Sequence, residues 1–92
     1  MIRLRGHLIC MTTEEAATVR WHLADHVRLS RQEPGCISFN VEPTDDPMKW
    51  EVDEAFTTRE AFDGHQLRTR ESEWFKATRS ILRDFRVEEL GD

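Results

Sequence analysis

Glu54 falls on the same strand face as Trp50, Val52 and Phe56, where loss of water penalises an ionised carboxylate. It needs a partner, and the following helix offers His65 on the face of Ala61 and Phe62. A chain turning back over the sheet brings imidazole and carboxylate within hydrogen-bond reach. Such a pair fixes the histidine tautomer, favours the protonated ring and suits acid/base work on a pocket floor. The same pair serves equally as a tie between helix and sheet that satisfies two buried polar groups. His22 and His26 stand at i,i+4, a spacing able to chelate a metal, but two ligands are too few and no third His or Glu is evidently placed to complete a set. No metal is expected there, and the two are read as a solvated or dimer-contact flank with Leu29. Trp21, Trp50 and Trp74, with five phenylalanines and no tyrosine, supply flat surfaces that either fill a core or line a site for an aromatic ligand. Arg68, Arg70, Arg79, Arg83 and Arg86 are interspersed with Glu71, Glu73 and Asp84, which reads as a salt-bridged surface rather than an anion site.

The elements that position these groups follow from periodicity. Residues 2–11 alternate with period two, Ile2, Leu4, Leu8 and Cys10 against Arg3, Arg5 and His7, as a strand with one buried face does. Thr12 or Thr13 then caps a helix expected to run to about Gln32, with a stripe of Ala16, Val19, Leu23 and Val27, and Glu33-Pro34-Gly35 ends it. Period two returns over 36–43, with Ile37, Phe39 and Val41 on one side. Thr44-Asp45-Asp46-Pro47 turns the chain, and a third strand starts at Met48, making a hairpin. Thr57 or Thr58 caps a second helical region that Gly64 is expected to break, before a longer helix striped by Leu67, Trp74, Thr78 and Ile81. A last strand turns Phe85 and Val87 inward.

The order β-α-β-β-α-β predicts an α+β, ferredoxin-like fold, an antiparallel sheet with helices on one face. Ninety-two residues make one domain, 1–92, too small for two cores. The other sheet face, carrying Ile9 and Met11 among polar groups, calls for cover by a second copy, so a homodimer is expected. A formal net charge of −5 argues against a nucleic-acid surface. No apolar run reaches the roughly 18 residues of a membrane span. Arg3, Arg5 and His7 interrupt the stretch where a signal peptide needs apolar residues, so a cytoplasmic location is expected, with Cys10 and Cys36 reduced. Neither a phosphate loop, a GxSxG elbow, an HExxH motif nor a Cys/His nucleophile signature is present.

The segments Glu33-Pro34-Gly35-Cys36-Ile37-Ser38-Phe39, Asp46-Pro47, Trp50-Glu51-Val52-Asp53-Glu54-Ala55-Phe56 and Glu60-Ala61-Phe62-Asp63-Gly64-His65 resemble the antibiotic biosynthesis monooxygenase domain, many of whose members are named as quinol monooxygenases. The resemblance runs over nearly the whole chain. It implies a dimeric α+β barrel, two subunits packed sheet to sheet, each with a pocket between its own sheet and helices. It further implies oxidation of a small quinol or phenolic substrate by molecular oxygen, without metal, flavin or haem. Glu54 and His65 match the family's strand acid and helix histidine and are the implied catalytic residues; Trp50, Phe39 and Trp74 are the candidate substrate-binding residues. The chain departs from polyketide-oxidising members in lacking tyrosine. It also departs from haem-degrading ones, with His7 in place of an asparagine and Ala55 in place of a tryptophan, which argues against haem degradation. The competing reading is a non-catalytic dimeric module that binds an aromatic metabolite.

Overall fold

Ile2, Leu4 and Leu8 are almost wholly buried while Arg3 and Arg5 between them are not, so the alternation of the first strand is an alternation between core and sheet surface. The computed structural model describes residues 1–91. Along the chain run β1 (Ile2–Ile9), α1 (Thr13–Arg31), β2 (Cys36–Pro43), β3 (Lys49–Phe56), α2 (Arg59–Arg70), α3 (Glu73–Thr78) and β4 (Leu82–Glu89). The strands form one antiparallel sheet in the order β2-β3-β1-β4, the ferredoxin-like arrangement. β1 stops at Ile9, and Met11 lies beyond it, 73% exposed. The expectation that Met11 continues the sheet face is therefore corrected.

Each helix begins at a hydroxyl that accepts a backbone N–H left free by the first turn. Thr12 accepts from Glu15 at 3.1 Å, Thr58 from Ala61 at 3.1 Å and Ser72 from Phe75 at 3.1 Å. Gly64 does not break the second helical region. α2 runs through it to Arg70, because Phe62 and His65 on either side are anchored in the core, and tertiary burial outweighs the roughly 1 kcal/mol that glycine costs in a helix. The break comes at Glu71 and Ser72. The Ser72 hydroxyl donates to the Thr69 carbonyl at 2.6 Å and caps the short α3. Leu67, expected in the stripe, is 57% exposed, whereas Trp74, Thr78 and Ile81 are buried.

Gly35 has φ +85°, and a Cβ there would lie 2.6 Å from the Ala61 Cβ. Only glycine lets the turn after α1 pass this close to α2. That turn starts β2, which shifts register between Cys36 and Ser38; Ile37 is left 53% exposed instead of inward. The helices lie over β2 and β3. Val87, on the helix-side face by its register with Leu4, is consequently 44% exposed, while Phe85 packs against the core. The opposite face is charged: Arg3 grips Asp53 through two contacts of 3.1 and 2.9 Å, and Arg5 reaches Glu88 at 3.3 Å.

Candidate functional site

Between the sheet and the helices lies a cavity of about 230 Å³, lined by Leu4, Leu8, Val41, Val52, Phe39, Phe75, Trp74 and Phe85, with Glu54, His65, His26, Gln66, Thr69, Arg70 and Arg83 as its polar contributors. An apolar cavity of roughly 150 Å³ admits benzene, so one substituted ring or a compact fused pair fits. β3 delivers Glu54 by its alternation, Trp50, Val52, Glu54 and Phe56 all facing the helices. α2 delivers His65 one turn beyond Phe62, both buried.

His65 is held from two sides. Its Nδ1 lies 2.6 Å from Glu33 Oε1, and Glu33 is itself paired with the Arg68 guanidinium through its other oxygen. Arg68 also donates to Ser30 Oγ at 3.1 Å. A carboxylate accepts from Nδ1–H, so this contact assigns the tautomer and leaves the Nε2 lone pair toward the cavity. There Nε2 is 3.6 Å from Glu54 Oε1 and 3.4 Å from Thr69 Oγ1. The distance to Glu54 is just beyond a hydrogen bond, and closing it takes a shift of a few tenths of an ångström.

Burial dominates the titration of all three inner groups. Loss of water raises the Glu54 carboxyl from 4.5 to about 8, with the charges of Glu33 and Asp53 pushing the same way. At neutral pH Glu54 is largely a neutral acid, able to donate a hydrogen bond. His65 is lowered by burial in spite of the hydrogen bond and charge of Glu33. His26 is lowered to about 3, first by burial and then by His65, Arg68 and Arg83. The expectation that a carboxylate keeps His65 protonated is thus reversed: Glu54 carries the proton, and the imidazole is a neutral base.

Of the residues singled out from sequence, Glu54, His65, Phe39 and Trp74 meet at this cavity, with Phe39 and Phe56 ring centroids 5.3 and 4.9 Å from His65. Trp50 does not line it. It is buried toward the other end of the sheet, opposite Leu8 and Pro43, and borders a groove beside α1. His22 and His26 part company. His22 is half-buried, whereas His26 is 5% exposed and stacks on Trp74 with planes 4° apart and centroids 4.6 Å apart. The flank expected to be solvated is in this respect a cavity wall, and among the described residues no cluster of three or more His, Cys, Asp or Glu side chains is placed to hold a metal. Arg83, read as a surface residue, is half-buried and donates to the Thr78 carbonyl and hydroxyl at 2.8 Å each. Glu33 was visible only as part of a turn; nothing in periodicity marks a turn residue as the partner of a histidine 32 positions on. His26 had a signal, since it lies i+7 from Val19 and i+3 from Leu23, on the buried face.

Glu33, His65 and a neutral Glu54 can orient an imidazole, take a proton at Nε2 and offer one nearby. The sequence profile of the antibiotic biosynthesis monooxygenase family matches residues 9–79. No curated protein matches the sequence significantly. Among solved structures, a Deinococcus radiodurans protein carrying the same family name superposes with a TM-score of 0.84 at 22% identity, over 100% of this chain and 94% of its own. A Nitrosomonas europaea protein of that family name follows at 0.80 and 20%, over 97% of each chain. SnoaB, a cofactor-independent oxygenase from Streptomyces nogalater, gives 0.80 at 11% identity, over 99% of this chain and 93% of its own. At these identities the likeness to the solved structures is one of fold.

Proposed function

Because the chain belongs to the antibiotic biosynthesis monooxygenase family, we propose that it is a cofactor-independent monooxygenase that oxidises a small quinol or phenolic ring with molecular oxygen. The observation that carries this reading is the Glu33–His65 pair facing a neutral Glu54 in a cavity walled by aromatic and aliphatic side chains. His65 Nε2 takes the proton of the ring hydroxyl, while Nδ1–H stays on Glu33, whose charge stabilises the imidazolium. Glu54 and the nearby Arg83 favour the ring oxyanion left behind. That anion is the reductant. It passes one electron to dioxygen, and the radical pair joins as a bond between a ring carbon and oxygen. The proton held by His65 returns to the distal oxygen to give a hydroperoxide. Loss of the C–H proton and cleavage of the O–O bond then release hydroxide, which leaves as water, and the ring carbon becomes a carbonyl. A phenol with a free para position and one dioxygen thus give a quinone and one water, and a quinol attacked at a free ortho position gives a hydroxyquinone and one water.

The reading includes a homodimer in the cytoplasm, joined by the helix-free sheet face. The ion pairs Arg3–Asp53 and Arg5–Glu88 are already closed within one subunit, which lowers the cost of burying that face against a copy. Oxygen uptake and quinone absorbance, measured for a panel of hydroquinones and phenols, test the activity. The expected result is turnover above buffer with a loss of at least about a hundredfold in His65→Phe, the contribution of a positioned base. Rates equal to buffer across the panel overturn the proposal, and ligand-induced thermal shifts without turnover identify a binding module instead.

A further inference from the structure

Among the described residues two buried side-chain atoms have no hydrogen-bond partner, His26 Nδ1 and Glu54 Oε1, and both residues line the same cavity. Their residues are 5% and 6% exposed. Leaving such an atom unpaired is costly; Glu54 Oε1 has His65 Nε2 at 3.6 Å to close upon, whereas His26 Nδ1 makes no hydrogen bond within the protein and is the atom that a second polar group on a ligand would satisfy. The plane of the His26 ring is set by its aromatic neighbours. Trp74 stacks on one face and Phe39 meets it edge-on, with centroids 5.3 Å apart and planes at 81°. It belongs to the same cluster as the base: its ring is 6.1 Å from that of His65, whose Nε2 is 3.6 Å from Glu54 Oε1.

We infer that His26 is a specificity-determining residue, which binds a second ring oxygen while the first sits at Glu54 and His65, so that the site selects rings bearing two hydroxyls over those bearing one. This rests on the oxygenase reading for the identity of the cavity as the substrate site. A hydroxyl is complementary to both atoms. A neutral imidazole presents at Nδ1 either a lone pair or an N–H, and a carboxyl oxygen presents either a carbonyl or an O–H. The hydroxyl is both donor and acceptor and satisfies each in either form. A ring with one hydroxyl leaves one of the two atoms unpaired, and a site built to hydrogen-bond a hydroxyl discriminates against the analogue without it. The low proton affinity of His26 accords with this, because a ring that stays neutral suits an uncharged hydroxyl better than a charged group.

The test is anaerobic binding of 1,4-dihydroxynaphthalene and 1-naphthol, followed by tryptophan fluorescence, to the wild type, His26→Phe and His26→Asn. Phenylalanine keeps the flat ring and loses the nitrogen, and asparagine places an amide near Nδ1. The expected result is a preference for the diol of about tenfold in the wild type, the worth of one hydrogen bond. The preference, read as the ratio of the two affinities within each protein, should collapse toward one in His26→Phe and return in part in His26→Asn. No preference in the wild type, or the same preference in His26→Phe, overturns the inference. Should His26→Phe fail to fold, the wild-type ratio and the asparagine variant decide, since a ratio of one in either refutes it. Turnover is read separately. No diol preference in a wild type with intact oxygen uptake defeats the inference alone, and a wild-type preference that His26→Phe abolishes, without any oxygen uptake, defeats the oxygenase reading alone.

Discussion

Two buried groups with opposite displacements shape how stability depends on pH. Glu54 is raised from 4.5 to about 8, so the native state holds its proton more tightly than the unfolded chain. Its contribution is complete below pH 4.5, is lost as pH rises to about 8, and is constant above. His26 is lowered from 6.5 to about 3. Its contribution is complete above pH 6.5 and is lost as pH falls to about 3. Each displacement is worth on the order of 5 kcal/mol over its full range. Between pH 4.5 and 6.5 the two slopes oppose and cancel, leaving a plateau that His65, also lowered by burial, tilts upward toward pH 6.5. Above the plateau only Glu54 acts, and stability falls by about 2 kcal/mol up to pH 8. Below it only His26 remains of the pair, giving a fall of similar size to pH 3, to which Asp53 and Glu15, both lowered by their hydrogen bonds, add. Urea denaturation of the wild type and Glu54→Gln at half-unit steps from pH 3 to 9 reads this directly. The variant should lack the decline above pH 6.5 and instead climb through 4.5 to 6.5, where the wild type is nearly level. A wild type without the alkaline decline, or a Glu54→Gln protein that retains it, would falsify the assignment of that proton to Glu54.

The rate on quinols should hold to below pH 6.5, because His65 is lowered, and fall as Glu54 ionises near pH 8, giving a bell in kcat/KM; a flat profile through pH 9 excludes a role for neutral Glu54. Glu33→Gln should reduce kcat well beyond any change in KM, because it weakens the hold on Nδ1–H and removes the charge that stabilises the imidazolium; a change in KM alone contradicts that role. Gly64 is exposed, and a Cβ added there would meet nothing within 4 Å, so Gly64→Ala should add about 1 kcal/mol, or roughly 4 to 8 °C in Tm, and a loss of stability refutes the account of α2. Sedimentation at micromolar concentration should return twice the 10.9 kDa chain mass, and a monomer across that range defeats the dimer proposal.

The sheet was legible because strands report themselves through alternation: Ile2, Leu4 and Leu8 face the core, as do Phe39, Trp50, Val52 and Phe56. The errors fall where a local preference met a tertiary anchor. Gly64 weakens a helix on its own, yet Phe62 and His65 hold that helix to the core on both sides of it. Trp50 shares a strand face with Glu54 but borders a separate groove with Leu23, Val27 and Arg31 of α1, so a shared face does not mean a shared cavity.

The site was half legible for a related reason. Periodicity assigns a residue to a face and says nothing of what a polar group on that face will find. Glu54, His65 and His26 all occupy core-face positions where an apolar residue would be the locally consistent choice, and each is at least nine-tenths buried. That inconsistency is readable from sequence, and it gathers where function makes a chain depart from its own pattern. Glu33 breaks no pattern, because a turn has none to break. It reaches His65 only because Gly35, at φ +85°, lets the chain pass against Ala61, bringing the end of α1 beside α2. The two inner carboxyls then divide by environment. Glu33, partly exposed and paired with Arg68, supplies the charge, while Glu54, buried and without a hydrogen-bond partner at Oε1, keeps its proton. A neutral imidazole between a charged and an uncharged carboxyl has a direction for proton movement built into it, from the cavity toward Nε2, and that direction follows from burial rather than from residue type.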